Sequence, residues 1–149
     1  MIKMILGSFI VFLLSLNTLH AQEQKKQDEV YFDKGIEYFD ANNYKYAILY
    51  FDSVIVMNTE NVEAYAFRGI SKFSLKQYDD AIEDFDLCLI LEPGYAEVYY
   101  YRGLSKLELG ANEKACEDLY LAYDYGLKKS MKLIKAVCEE DLEKGKSDK

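Results

Sequence analysis

Residues 62–95, VEAYAFRGISKFSLKQYDDAIEDFDLCLILEPGY, read as two amphipathic helices joined by a tight turn. Tyr65, Ile70 and Phe73 share an apolar face over Val62 to Leu75. Ala81, Ile82, Phe85 and Leu89 share another over Tyr78 to Leu91. Both follow the i, i+3, i+4 spacing of a helix that packs on one side. Lys76-Gln77 forms the turn between them. Glu92-Pro93-Gly94 ends the second helix, because proline cannot continue a helix and glycine accepts positive φ. Where two helices cross closely, a large side chain would hold them apart. Gly69 and Ala81 therefore mark the crossing, and Tyr65 and Phe85 fill the space beside it.

The same pattern recurs 34 residues away on either side. Gly35, Gly69 and Gly103 fall in register, with Tyr31, Tyr65 and Tyr99 four residues before each glycine. Lys34, Arg68 and Arg102 precede the glycines directly. Ala47, Ala81 and Ala115 follow, and then Phe51, Phe85 and Leu119. Glu29, Glu63 and Glu97 recur as well. A fixed period of this length means stacked supersecondary units. The units are 28–61, 62–95 and 96–129, each a helical hairpin. The second unit resembles the tetratricopeptide repeat family most fully, through Tyr65, Arg68, Gly69, Ala81, Phe85 and Pro93. The first has Thr59, and the third Leu127, where that family's pattern has proline, and Leu119 replaces the third aromatic. The resemblance spans residues 28–129 and implies an all-α, right-handed superhelical stack of three hairpins.

A stack exposes apolar surface at its end, so a capping helix is expected. Residues 130–144 supply one, with Met131, Leu133, Ile134, Val137, Cys138 and Leu142 on one face. Residues 145–149 read as a flexible tail. At the other end, Lys3, an apolar run from Met4 to Leu16 and a small residue at Ala21 make 1–21 a signal peptide cut before Gln22. The alternative is an uncleaved anchor, although the run is short for a span of about 20 apolar residues. Residues 22–27 then form a short polar tether. Export to the periplasm of a Gram-negative bacterium, or secretion from it, is the expected localisation.

Without residues 1–21 the chain keeps 17 basic and 26 acidic residues, a net charge near −9, and no histidine. Such a chain is repelled by phosphate backbones and anionic lipid, so nucleic acid is not an expected partner. A membrane partner is expected only if the leader stays attached. The missing histidine removes the commonest general base and metal ligand. Asp79-Asp80, Glu83-Asp84-Asp86 and Glu117-Asp118 could serve a carboxylate-dependent enzyme. Their places toward the helix starts are explained more simply by the helix dipole. No phosphate-binding glycine loop, nucleophile elbow or metal-ligand spacing is present. No cofactor, metal or small-molecule substrate is expected, and the chain reads as non-enzymatic.

Cys88 falls at a small, buried position and reads as a free thiol. Cys116 and Cys138 each lie 11 residues from Leu127, the centre of the turn before the cap. In an antiparallel hairpin they would meet. In an oxidising compartment they would form a disulfide that pins the cap; the alternative is two separate buried thiols.

The resemblance also implies a concave face lined by the first helix of each unit. Its positions here are Phe32, Asp33, Ile36 and Phe39; Ala66, Phe67, Ile70 and Phe73; and Tyr100, Tyr101, Leu104 and Glu108. Glu29, Glu63 and Glu97 form a rim. One family subclass grips carboxylate-ended chaperone tails with Lys, Asn and Arg, but the matching places carry Phe32, Ile36, Phe67, Glu97 and Tyr101. The expected function is a scaffold that binds a protein or peptide segment with apolar and basic side chains in an aromatic, acid-rimmed groove. The alternative is a structural subunit of an envelope or secretion complex, contacted through its ends or convex face.

Overall fold

The structure, a computed structural model, describes residues 19, 22, 23 and 25–138. The expected leader (Leu19 aside), the last residues of the expected cap and the tail lie outside them. The described residues contain helices and turns and no strand. Helix α1 covers 25–40. It is followed by α2 (Tyr44–Met57), α3 (Val62–Ser74), α4 (Tyr78–Leu91), α5 (Ala96–Glu108) and α6 (Asn112–Asp124). A short α7 (Ser130–Leu133) runs into one π-helical turn, Ile134–Cys138. Residues 25–27, expected as part of a tether, are instead helical. Their sequence Lys-Lys-Gln consists of good helix formers, so α1 has no reason to stop at residue 28.

Each hairpin closes on one large side chain. Phe51, Phe85 and Leu119 are fully buried at equivalent positions of α2, α4 and α6. They face Gly35, Gly69 and Gly103 on the partner helices. A Cβ at Gly69 would stand 2.6 Å from Cε1 of Phe85, and one at Gly35 2.5 Å from Cε1 of Phe51. Glycine is required there because the ring occupies the space a side chain would need. At Gly103 the smaller Leu119 relaxes this, and the nearest atoms would be 3.2 Å away.

The turns inside the hairpins share one device. Asn42, Lys76 and Gly110, again 34 apart in sequence, adopt left-handed backbone with φ of 57°, 62° and 77°. At the second turn the Gln77 N–H donates to the Lys72 carbonyl and the Lys76 N–H to the Phe73 carbonyl, both at 2.9 Å. The other two turns repeat these bonds, which satisfy the last carbonyls of each helix. Lysine pays a steric penalty at this φ that glycine does not. Lys76→Gly is therefore expected to raise unfolding stability by about 0.5–1 kcal/mol in a urea titration. Gly94, expected to supply a positive φ, does not. Helix α4 ends when the Glu92 N–H bonds the Cys88 carbonyl at 2.8 Å and Pro93 follows.

The hairpins stack by sharing core. Ala64 of α3 is buried with Ala47, Phe51 and Val54 of the first hairpin. Val98 of α5 is buried with Ala81, Phe85 and Cys88 of the second. The third is closed by the cap, where Leu119 packs on Ile134 and Cys138. The cap differs from the uniform α-helix expected, since it widens into a π-turn after Leu133. The Cys116 and Cys138 sulfurs stand 2.08 Å apart, with their Cα atoms at 5.7 Å.

Candidate functional site

The aromatic residues assigned to the concave face are placed on α1, α3 and α5 but are largely engaged with one another. Phe67 stacks on Phe51 with centroids 5.7 Å apart and takes edge contacts from Phe32 at 6.0 Å and Phe39 at 5.2 Å. Phe39 also meets Tyr44 edge-on. One seam later, Phe73 packs on Tyr101 and Tyr78, each at 5.6 Å, and Tyr101 lies over Phe85. The Phe67 contacts and those of Tyr101 join neighbouring hairpins, whereas Phe39–Tyr44 and Phe73–Tyr78 close single hairpins. Burial raises the Tyr101 phenol above its ordinary range. Ala66 is a correction: it is 2% exposed, sits in the core of the second hairpin and lines no accessible surface. Ile36, Ile70 and Leu104 are half-buried.

The cap takes Tyr100 from the third unit's share of the face. Tyr100 and Leu107 pack against the Leu119–Ile134–Cys138 cluster, and Lys129 stands 4.9 Å from the centre of the Tyr100 ring. A small cleft of about 190 Å³ remains between Tyr100, Lys129, Lys132, Leu133 and Ala136. Glu108 is exposed and accepts a hydrogen bond from the Tyr78 hydroxyl at 3.2 Å.

Open space lies at the other end. A cleft of about 530 Å³ is bounded by α1, the end of α2 and the start of α3. Phe32 and Met57 give it apolar surface. Asp28, Glu29, Asp33 and Glu63 give it four carboxylates against the single ammonium of Lys25. The rim acids Glu29 and Glu63 are thus brought together, whereas Glu97 is exposed on α5 and lies outside this cleft. The sequence reading missed Lys25, Asp28, Met57, Asn58 and Asn61. The last three lie at the α2–α3 turn, away from the first-helix positions to which the resemblance assigns the groove. Asn61 also caps α3, its side-chain oxygen accepting from the Ala64 N–H at 2.9 Å.

A second polar feature was misread from sequence. Asp84 and Asp118, assigned to the helix dipole, are buried at 2% exposure. Each receives two hydrogen bonds from one arginine: Asp84 from Arg68 at 2.5 and 2.9 Å, and Asp118 from Arg102 at 2.6 and 2.9 Å. Lys72 and Lys106 pair with the same two carboxylates at 2.8 and 2.7 Å. Each guanidinium also reaches the preceding hairpin, Arg68 to Asp52 at 2.6 Å and Arg102 to Asp86 at 2.5 Å. Burial opposes the arginine charge, but the bonds and charges of the two carboxylates outweigh it and hold both guanidinium pKa values above their ordinary range. The signal that could have found this ladder is the 34-residue spacing of all four partners: Arg68/Arg102, Lys72/Lys106, Asp84/Asp118 and Asp52/Asp86.

Burial, assisted by Glu92, pushes the Cys88 thiol up to about 12, so at neutral pH it carries almost no thiolate. Among the described residues no group of three or more His, Cys, Asp or Glu side chains is placed to hold a metal ion, and no helix is long and apolar enough to cross a membrane.

No protein-family model and no curated protein matches the sequence significantly. Solved structures do match. The Arabidopsis OM64 TPR domain shares 21% identity at a TM-score of 0.71, covering 74% of this chain and 92% of that one. The second TPR domain of human RPAP3, solved with an HSP70 peptide, shares 20% at 0.72, covering 76% and 97%. The Yersinia enterocolitica type III secretion chaperone SycD, solved with a peptide of the translocator YopD, shares 15% at 0.72, covering 76% and 93%. At these identities the match is one of fold: the stacked hairpins have the superhelical arrangement of the tetratricopeptide repeat.

Proposed function

We propose that this tetratricopeptide-fold chain is a non-enzymatic protein-interaction module that takes a partner's basic and apolar segment at the α1–α3 end of its concave face. The observation that carries the reading is the cleft of about 530 Å³, with Phe32 and Met57 beneath four carboxylates. A lysine or arginine of the partner meets Asp28, Glu29, Asp33 and Glu63, and a neighbouring apolar side chain covers Phe32. Aromatic surface gives contact area at low entropy cost. The peptide-bound structures of similar fold support a concave face as a place for peptides. Phe67, Phe73, Tyr100, Tyr101 and Glu108 then act mainly by holding the seams and the far end of the face, and Glu97 stands exposed outside the cleft.

Phe32, Phe67 and Tyr101 are poor test positions, because their removal opens seams. Charge reversal at the exposed Asp33 and Glu63 avoids this. Random peptides displayed on phage and selected against the whole chain are expected to be enriched in Lys or Arg beside aromatic or aliphatic residues. Their affinity should fall at least about tenfold in Asp33→Lys/Glu63→Lys. Binders without basic residues, or binders indifferent to the reversal, would sink the assignment.

Export belongs to the same proposal. It is supported by the Lys3 start and the apolar run to Leu16, and by the Cys116–Cys138 sulfurs at bonding distance, a pairing that persists in oxidising compartments. The mature protein is then expected to begin at Gln22 and, denatured without reductant, to titrate a single thiol, that of Cys88.

A further inference from the structure

Part of the outer face of α2 and α4 takes no part in the groove or the seams, yet it is apolar where solvent-facing helices are normally polar. Val56 is 82% exposed and Ile90, its equivalent one unit on, 74%. Leu49, Leu87 and Leu121 are exposed beside them. Helix α2 has only two charged residues, Lys45 and Asp52, along its length. A helix apolar on all sides is ordinarily buried on all sides. The ion-pair ladder fixes how these helices follow one another along the stack. Arg68, on α3, bonds Asp52 on α2 and Asp84 on α4, and Arg102, on α5, bonds Asp86 on α4 and Asp118 on α6, so α2, α4 and α6 are tied to one another through α3 and α5. Val56 and Ile90 lie one helical turn beyond Asp52 and Asp86, so the two most exposed of these apolar side chains recur at equivalent places of α2 and α4, with Leu87 one turn before Ile90; on α6 the equivalent place is Asp124.

Charge selects what covers the stripe. The only basic residues on these three helices are Lys45 and Lys114, against exposed acids that include Asp80, Glu83, Glu117 and Asp124. A second copy packed face to face would set carboxylates against carboxylates. An anionic lipid surface would be repelled in the same way. We infer that this convex face docks a basic amphipathic helix of a partner protein. Its apolar side lies along Val56, Leu87 and Ile90, and its Lys and Arg side chains reach the flanking acids. The site is separate from the concave cleft and stands whether or not the cleft binds peptides.

The test uses a labelled peptide of about 18 residues, long enough for five turns, built only from leucine and lysine with the leucines on one helical face. A second peptide of the same composition has the leucines scattered. Anisotropy titrations with the full chain at about 0.1 M salt are expected to show binding of the amphipathic peptide at least about tenfold tighter than the scattered one. Val56→Glu/Ile90→Glu should weaken it by a similar factor, although the added acids would strengthen a purely electrostatic attraction to lysine. Val56→Ser/Ile90→Ser keeps the test valid if the glutamates disturb folding. In the Asp33→Lys/Glu63→Lys background, where the concave cleft no longer attracts basic peptides, the amphipathic peptide should still bind at least about tenfold tighter than the scattered one. Equal binding of the two peptides, or no loss in both stripe variants, overturns the inference. So does a dimer in sedimentation that the stripe variants make monomeric, or stripe-dependent binding to neutral phosphatidylcholine vesicles.

Discussion

Phe85→Ala is expected to lower the unfolding free energy by about 3–5 kcal/mol, the range for removing a fully buried aromatic. The ring is 0% exposed, faces Gly69 within the distance a Cβ would occupy, and lies against Tyr101 of the next hairpin. Truncation therefore opens a cavity at a crossing and at a seam together. Helices that cross at a glycine have no side chain that can swing in to refill it, which places the expected loss toward the upper end. Single domains hold about 5–15 kcal/mol in total, so the variant should be largely unfolded well below the wild-type midpoint in urea. The equivalent Leu119→Ala should lose less, about 2–4 kcal/mol, because Gly103 is farther from its partner and the Cys116–Cys138 link braces the cap beside it.

Asp84→Ala is expected to cost about 3 kcal/mol by the same measurement. The carboxylate is 3% exposed and is shared by Arg68 and Lys72, whose side chains are 15% and 18% exposed. Its removal leaves two cations half out of water with Asp52 as the one remaining carboxylate at hand. Losses of about 3–5 kcal/mol follow when one partner of a buried pair is deleted, and the residual exposure of the cations favours the lower end. Asp79→Ala, at an exposed site in the first turn of the same helix, should change stability by no more than about 1 kcal/mol. Replacing Arg68, Lys72 and Asp84 together by apolar residues should cost less than Asp84→Ala alone. That ordering separates the penalty of an orphaned charge from any net worth of the ladder.

The repeat made the hairpins legible because the packing constraint at each crossing is local and severe. A residue without a side chain faces a large buried one every 34 positions, a ring in the first two hairpins and Leu119 in the third. The Arg68–Asp84 pair carries the same period but joins residues 16 apart on different helices. No single-helix pattern displays that pairing, so the acids were read as surface groups. The concave face was legible only as a set of positions. The aromatic character of Phe67 and Tyr101 was visible, but whether a ring faces a partner or the next hairpin depends on inter-helix geometry. Ala66 went the same way, since a small residue fits a groove floor and a core seam equally well. The cleft itself was missed in part because a third of its lining residues are Met57, Asn58 and Asn61, outside the helices that face the groove in sequence register.

The most direct test of the central claim is the map of backbone amide shift changes when a selected basic peptide is added to the isotopically labelled full chain. The expected result is a cluster of changes at residues 25–33 and 57–63, around Asp28, Phe32, Asn61 and Glu63, that disappears in Asp33→Lys/Glu63→Lys. Changes confined to α2, α4 and α6, or spread evenly along the chain and unaffected by the reversal, would contradict a concave binding site.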